Sequence, residues 1–205
     1  MAKFVEEISV RKPYLDTGSS GLPILLKFIV EHAERADLLF ACLDRQEKPG
    51  YGYFLKRGET TWPEYWAIDG EPSRIHTCYT GISGYFIRGV GGIGPDPAAG
   101  GMKHFILKPK LVGDLTWAKA SSESPYGMIV SDWTREGATA TFEMRIPPNT
   151  TATAHIPAQT KGDIRENGGD LDKAAGIRFL RMQGGCAVLE LDSGVYRFAS
   201  ASAAP

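Results

Sequence analysis

Cysteine is scarce in this sequence: Cys42, Cys78 and Cys186 are the only three in 205 residues. The count is odd and no two of them have metal-ligand spacing. This argues against a disulfide framework or a zinc site, and free, partly buried thiols of a reducing compartment are expected. An excess of charge of one sign is also missing. The chain has 23 basic and 24 acidic residues, interspersed, for a net charge of −1, with no basic run to attract nucleic acid or an anionic membrane. Long apolar runs are absent too. A stretch such as Leu38–Leu43 falls far short of the roughly 20 residues that span a bilayer. Residues 1–7 carry acids and no apolar core segment, so they do not read as a secretory signal, and a cytoplasmic location is expected. Asn149-Thr150-Thr151 matches a glycosylation sequon and is read as a chance match in a turn. No metal-ligand cluster is visible and no cofactor is expected. What is present, 42% apolar and 23% charged residues, suits a globular chain of one large domain or two small ones.

The densest chemistry lies between Tyr51 and His76. Tyr51–Trp66 holds six aromatic residues, and one carboxylate, Glu64, stands between Trp62 and Trp66. Aromatic faces around a carboxylate suit a sugar ring: the rings pack on its apolar C–H faces and the carboxylate handles a hydroxyl or a water. From the residues alone, an ordinary surface acid is the leading reading of Glu64 and a structural or solvated histidine that of His76. Trp62 and Trp66 equally suit a core.

The rest of the chain changes period about halfway. Residues 2–10 suit a short helix ended by Lys12-Pro13. Ser19 or Ser20 can cap a helix with Pro23 in its first turn, and Leu25, Leu26, Phe28, Ile29 and Ala33 share its face. Ala36–Arg45 continues as a second helix with Leu38, Leu39, Cys42 and Leu43 on one side. Thr80–Ile93 is predicted to be a further helix despite its glycines, with Tyr85, Phe86, Ile87 and Val90 supplying bulk. The run from Gly94 to Gly101, with two prolines among its glycines, stops any helix. Beyond it, strands are predicted at 104–108, 115–121, 128–135, 138–146, 150–156, 177–182, 187–191 and 195–199. In the 138–146 strand, Ala140, Phe142, Met144 and Ile146 alternate with polar residues. Strands at this spacing suggest an antiparallel sandwich with Trp117 and Trp133 in its core. The expected organisation is α+β: a helical segment over 1–101, a β-sandwich over 102–200 and a frayed tail at 201–205.

Gly58-Glu-Thr-Thr-Trp-Pro-Glu-Tyr-Trp66 resembles the Gly-x-Thr-Thr-x-x-Glu-x-Trp segment of the bacterial α-L-rhamnosidases, glycoside hydrolase family 78. Other stretches are similar to the family in the same order: Leu15-Asp-Thr-Gly18, Ala36-Asp-Leu38, Tyr51-Gly-Tyr53, Val90-Gly-Gly-Ile93 (Gly91 replacing the family's alanine), Gly94–Ala98, Gly101–Ile106, Ser124–Gly127, Ile146–Ala152 and Ser193–Phe198. The resemblance implies the last helices of an (α/α)6 barrel followed by a C-terminal β domain, and inverting hydrolysis of terminal α-L-rhamnose. Inversion uses two carboxyl groups roughly 6.5–9.5 Å apart, an acid for the leaving oxygen and a base for the water. By motif position Glu64 matches the base and His76 a sugar-contacting histidine, while Trp62, Tyr65 and Trp66 wall the pocket or support Glu64 from behind. Glu59 is a rival carboxylate in the same loop, ranked below Glu64, and Asp16 has a capping role as its alternative.

The family's general acid lies in an acidic cluster far upstream, and residues 1–13 offer only Glu6 and Glu7 without its motif. The inner faces of the helices near 22–45 and 80–93 need cover from an oligomer partner, a missing barrel segment on another chain, or a rearranged fold. Three readings follow: a rhamnosidase portion inactive alone, one half of a split enzyme, or a non-catalytic carbohydrate-binding or interaction module.

Overall fold

The structure, a computed structural model, describes residues 17–31, 35–70 and 73–201. The helix expected at 2–10, Asp16, Ala33 and the end of the tail lie outside the described residues. The chain divides into two compact units, one up to Tyr85 and one from Phe86 onward, ahead of the 101/102 boundary expected from the Pro/Gly-rich run.

In the first unit, helix α1 (Gly21–Glu31) buries Leu22, Leu25, Leu26 and Ile29, the one-sided spacing of a helix with a single packed face. Its first amides, Gly21 and Leu22, donate to the Gly18 carbonyl. Helix α2 (Ala36–Asp44) buries Ala36, Leu38, Leu39 and Cys42. Just before it, the Arg35 guanidinium donates to both oxygens of Asp37, at 2.8 and 2.7 Å, and holds that carboxyl below its usual range. Helix α3 (Tyr51–Lys56) starts on two glycines pressed against Arg45. A Cβ on Gly50 would lie 2.5 Å from the Arg45 carbonyl oxygen, and one on Gly52 2.8 Å from it. The Tyr51-Gly-Tyr53 motif is therefore set by backbone packing at its glycine.

Burial of Cys42 makes its thiol silent. It is 1% exposed, and burial pushes it up to about 12, well above an ordinary thiol. Because the folded value is the higher one, the stability linked to this group is fully present below roughly pH 8.5, the free-thiol value. It is lost as pH rises toward the folded value. With a thiol reagent at pH 8, Cys78 and Cys186, which are half-buried, should react in the native protein, and Cys42 only after denaturant is added.

The single helix expected over Thr80–Ile93 is not formed. Two single turns, α4 (Thr77–Thr80) and α5 (Ile82–Tyr85), lead to a π-helical turn at Phe86–Val90, and Ile93 already begins a strand. Gly81, Gly84, Gly89 and Gly91 give this stretch too little helix propensity to hold one register. Gly92, at φ 73°, turns the chain out of it. Phe86 and Ile87, expected to supply bulk to that helix, are 51% and 37% exposed.

The second unit is the sandwich. One sheet runs β1 (Ile93–Pro95), β2 (His104–Leu107), β6 (Thr151–Pro157), β10 (Cys186–Leu191), β9 (Ile177–Gln183). The other runs β3 (Trp117–Ser124), β4 (Gly127–Glu136), β5 (Thr139–Ile146), β11 (Gly194–Ser200), β7 (Ile164–Glu166), β8 (Gly169–Asp170). All pairings are antiparallel except β2 with β6. The alternation read in β5 holds: Ala140, Phe142, Met144 and Ile146 are buried and the residues between them exposed. The short strands β1, β7 and β8 were not foreseen, because two or three residues carry no period. Trp133 is in the core, 1% exposed, its Nε1 donating to the Val90 carbonyl at 3.1 Å. Trp117 is not: it is 62% exposed. On β3 the buried residue is Ala120, so Trp117, an odd number of positions away, points to the opposite face.

Gly91, where the family is similar but carries alanine, has more than helix propensity at stake. A Cβ there would meet the Ala120 Cβ at 2.2 Å, and the Gly91 carbonyl accepts from the buried Ser131 hydroxyl at 2.6 Å. Gly91→Ala should therefore destabilise the sandwich by about 1–3 kcal/mol through overpacking. Adding Ala120→Gly should recover much of that loss, read as the urea midpoint of the double variant against each single one.

Candidate active site

The stretches 59–64 and 73–76 run side by side in opposite directions, as the two arms of an open hairpin. The Glu64 amide donates to the Ser73 carbonyl at 3.0 Å, and the His76 amide donates to the Trp62 carbonyl at 2.9 Å. The Thr61 hydroxyl donates to the Arg74 carbonyl. Arg74 Nη1 lies 3.1 and 3.2 Å from the two oxygens of Glu59. These ties bring the two sequence-predicted polar residues together: His76 Nε2 is 3.8 Å from Glu64 Oε1, with both side chains about 30% exposed. The His76 Nδ1 is buried and makes no hydrogen bond among the described residues.

Behind the hairpin is an aromatic cluster centred on Tyr51. Its ring meets Trp62 and Trp66 edge-on at 5.1 and 5.3 Å. Its hydroxyl donates to the Tyr79 carbonyl at 2.9 Å. Trp66 stacks on Phe54 at 5.5 Å and 9° and meets Tyr79 edge-on at 4.8 Å. Desolvation pushes the Tyr51 phenol well above its ordinary value, so it is a neutral hydrogen-bond donor at any pH the fold meets.

The three aromatics singled out in the sequence occupy different places. Trp66 is 8% exposed and belongs to the cluster, Trp62 is half-buried, and Tyr65 is 53% exposed. Lys48 and Arg57 flank the cluster. Lys48 donates to Asp69 at 2.9 Å and Arg57 lies 3.6 Å from it. Both cations sit over the Tyr53 ring, at 5.1 and 5.6 Å. Lys48 holds the Asp69 carboxyl below its usual range.

The rival carboxylate Glu59 is engaged by Arg74, whereas Glu64 faces an imidazole. A half-exposed carboxylate held beside a histidine, with a rigid aromatic wall behind it, can accept a proton from a bound water. Among the described residues no group of three or more His, Cys, Asp or Glu is placed to hold a metal ion. Arg74 and Ser73 were missed in the sequence. Their neighbours in space are 9–15 positions earlier, and no helix or strand period links the two.

A helical segment followed by an antiparallel sandwich is the layout of the C-terminal end of a six-hairpin glycosidase. Family models match the chain on those lines. Residues 1–90 match the bacterial alpha-L-rhamnosidase 6 hairpin glycosidase domain, and residues 92–170 match the bacterial alpha-L-rhamnosidase C-terminal domain. The chain belongs to the bacterial α-L-rhamnosidases and corresponds to their C-terminal part. It is 28% identical, over 96% of its own length, to an alpha-L-rhamnosidase of Streptomyces avermitilis, and 30% identical over 71% of its length to one of Formosa agariphila. It covers 19% and 16% of those two proteins, so it spans about a fifth of the length of the curated relatives it matches. The crystal structure of the Streptomyces avermitilis alpha-L-rhamnosidase complexed with L-rhamnose superposes with TM-score 0.81 at 27% identity, over 95% of this chain and 19% of that one. The structure of alpha-L-rhamnosidase from Dictyoglumus thermophilum shares the fold, with TM-score 0.82 at 22% identity over 97% of this chain and 22% of that one.

Proposed function

We propose that this chain is the C-terminal portion of an inverting α-L-rhamnosidase-like hydrolase and carries the water-activating side of its active site. In this reading Glu64 is the general base, His76 contacts the sugar, and Tyr65 and Trp62 form its aromatic wall, with Trp66 holding the wall from behind. The observation that carries the reading is the approach of His76 to Glu64, two residues 12 apart whose roles the family motif pairs. Water attack needs the base, and departure of the leaving oxygen needs an acid in the same transition state. In the family that acid lies upstream of the fifth of the molecule matched here. These 205 residues on their own therefore bind a rhamnoside but do not turn it over. Ile24, Leu55 and Ile75, each more than 60% exposed in the first unit, support a place within a larger helical body.

The test is hydrolysis of a chromogenic α-L-rhamnoside by the purified chain, beside its Glu64→Gln variant. No turnover by either is expected. Turnover by the wild-type chain that disappears in Glu64→Gln would mean that a second carboxylate is supplied within its own assembly, and would overturn the claim that the chain is inactive alone.

A further inference from the structure

We infer that Glu59 and Arg74 are positioning residues that hold His76 against Glu64. The inference rests on the functional reading above and adds to it two residues outside the Glu64–His76 pair. Arg74 is fastened at both of its ends. Its guanidinium spans the two oxygens of Glu59 at 3.1 and 3.2 Å, and its carbonyl accepts from the Thr61 hydroxyl. On either side of it, Ser73 and His76 are tied to Glu64 and Trp62 through the backbone. The arm carrying the histidine is thus fixed to the arm carrying the carboxylate at four points, and the Glu59–Arg74 pair is the outermost of them.

The anchor of the pair is itself fixed. The Glu59 amide donates to the Phe54 carbonyl at 3.0 Å, and Phe54 is fully buried in the aromatic cluster. The line of connection runs from the cluster through Phe54, Glu59 and Arg74 to His76. The need for it is visible in the geometry. At 3.8 Å, Glu64 and His76 are too far apart to hold each other by a hydrogen bond, so their separation is set by what holds the two arms. The excursion between them has a separate tie, Asp69 to Lys48 and Arg57. Loss of Arg74 would leave that tie in place and free only the returning arm, 73–76. Arg74 is 55% exposed and Glu59 20%, so the pair contributes little to global stability. That makes its effect on the site separable from an effect on folding.

The experiment reads the His76 ring directly. In the full chain, the Cε1–Hε1 resonance of His76 is followed by NMR in the presence and absence of Glu64→Gln, at one fixed pH. In the otherwise wild-type chain, Glu64→Gln is expected to shift that resonance. In Arg74→Ala and in Glu59→Gln the same change is expected to shift it no longer. Arg74→Lys, which keeps the charge, should restore part of the response, and Asp69→Asn, which loosens the other tie, should leave it intact. Circular dichroism of each variant serves as the folding check. A response that survives in folded Arg74→Ala and Glu59→Gln overturns the proposal, as does a wild-type chain in which Glu64→Gln leaves His76 unmoved. The readout requires neither sugar nor turnover, so the proposal can fail while the rhamnosidase reading stands, and the reverse.

Discussion

Trp66→Ala is expected to cost about 3–5 kcal/mol of stability, the range for removing a large aromatic from a packed core. Trp66 is 8% exposed, stacked on Phe54 and edge-on to Tyr51 and Tyr79. Removing its ring would take away all three of these aromatic contacts at once. Tyr65→Ala, one position away, should change stability by less than about 0.5 kcal/mol, because its ring is half in solvent. Urea unfolding followed by circular dichroism separates the two. The comparison also assigns their roles: a large loss at 66 and none at 65 makes Trp66 the support of the Glu64 hairpin and leaves Tyr65 free to meet a ligand. Equal, small losses would show that the cluster is not the core of the first unit.

The second large effect is Gly92→Ala. The residue sits at φ 73°, where an L side chain is strained. A Cβ there would lie 2.1 Å from the carbonyl carbon of Lys108, a backbone atom that cannot rotate away. The Gly92 carbonyl also accepts from the Lys108 amide at 2.8 Å, so displacing the strand to relieve the clash would break the β1–β2 register. Strain and backbone displacement together should exceed about 3 kcal/mol, and the variant should unfold at markedly lower urea concentration than Gly91→Ala. At Gly91 the clash is with a side chain, and a compensating substitution exists.

These two glycines mark where the sequence stops being legible. Apolar periodicity located α1 and α2: of the face read as Leu25, Leu26, Phe28, Ile29 and Ala33, Leu25, Leu26 and Ile29 are buried. It located β5 because Ala140, Phe142, Met144 and Ile146 repeat at spacing two. It failed between Thr80 and Ile93, where bulky residues at a helical spacing were given more weight than four glycines. It also failed at Trp117, whose size suggested a core place but whose position on the pleat excludes one. The motif singled out candidates that lie near one another in the fold: Glu64, His76, Trp62, Tyr65 and Trp66 all fall in the first compact unit. The residues that tie the two arms of the hairpin, Arg74, Thr61 and Ser73, were not legible, because their bonds join two irregular stretches and leave no repeat in the chain.

The central claim is that the hairpin carrying Glu64 and His76 is a sugar site. Its most direct test is titration of the isotope-labelled chain with L-rhamnose, followed by NMR. The account predicts saturable shifts at Trp62, Glu64, Tyr65 and His76 that are lost or much weakened in Glu64→Gln, with the sandwich residues unmoved. Shifts confined to the sandwich, or none at these four residues in a folded chain, would contradict it.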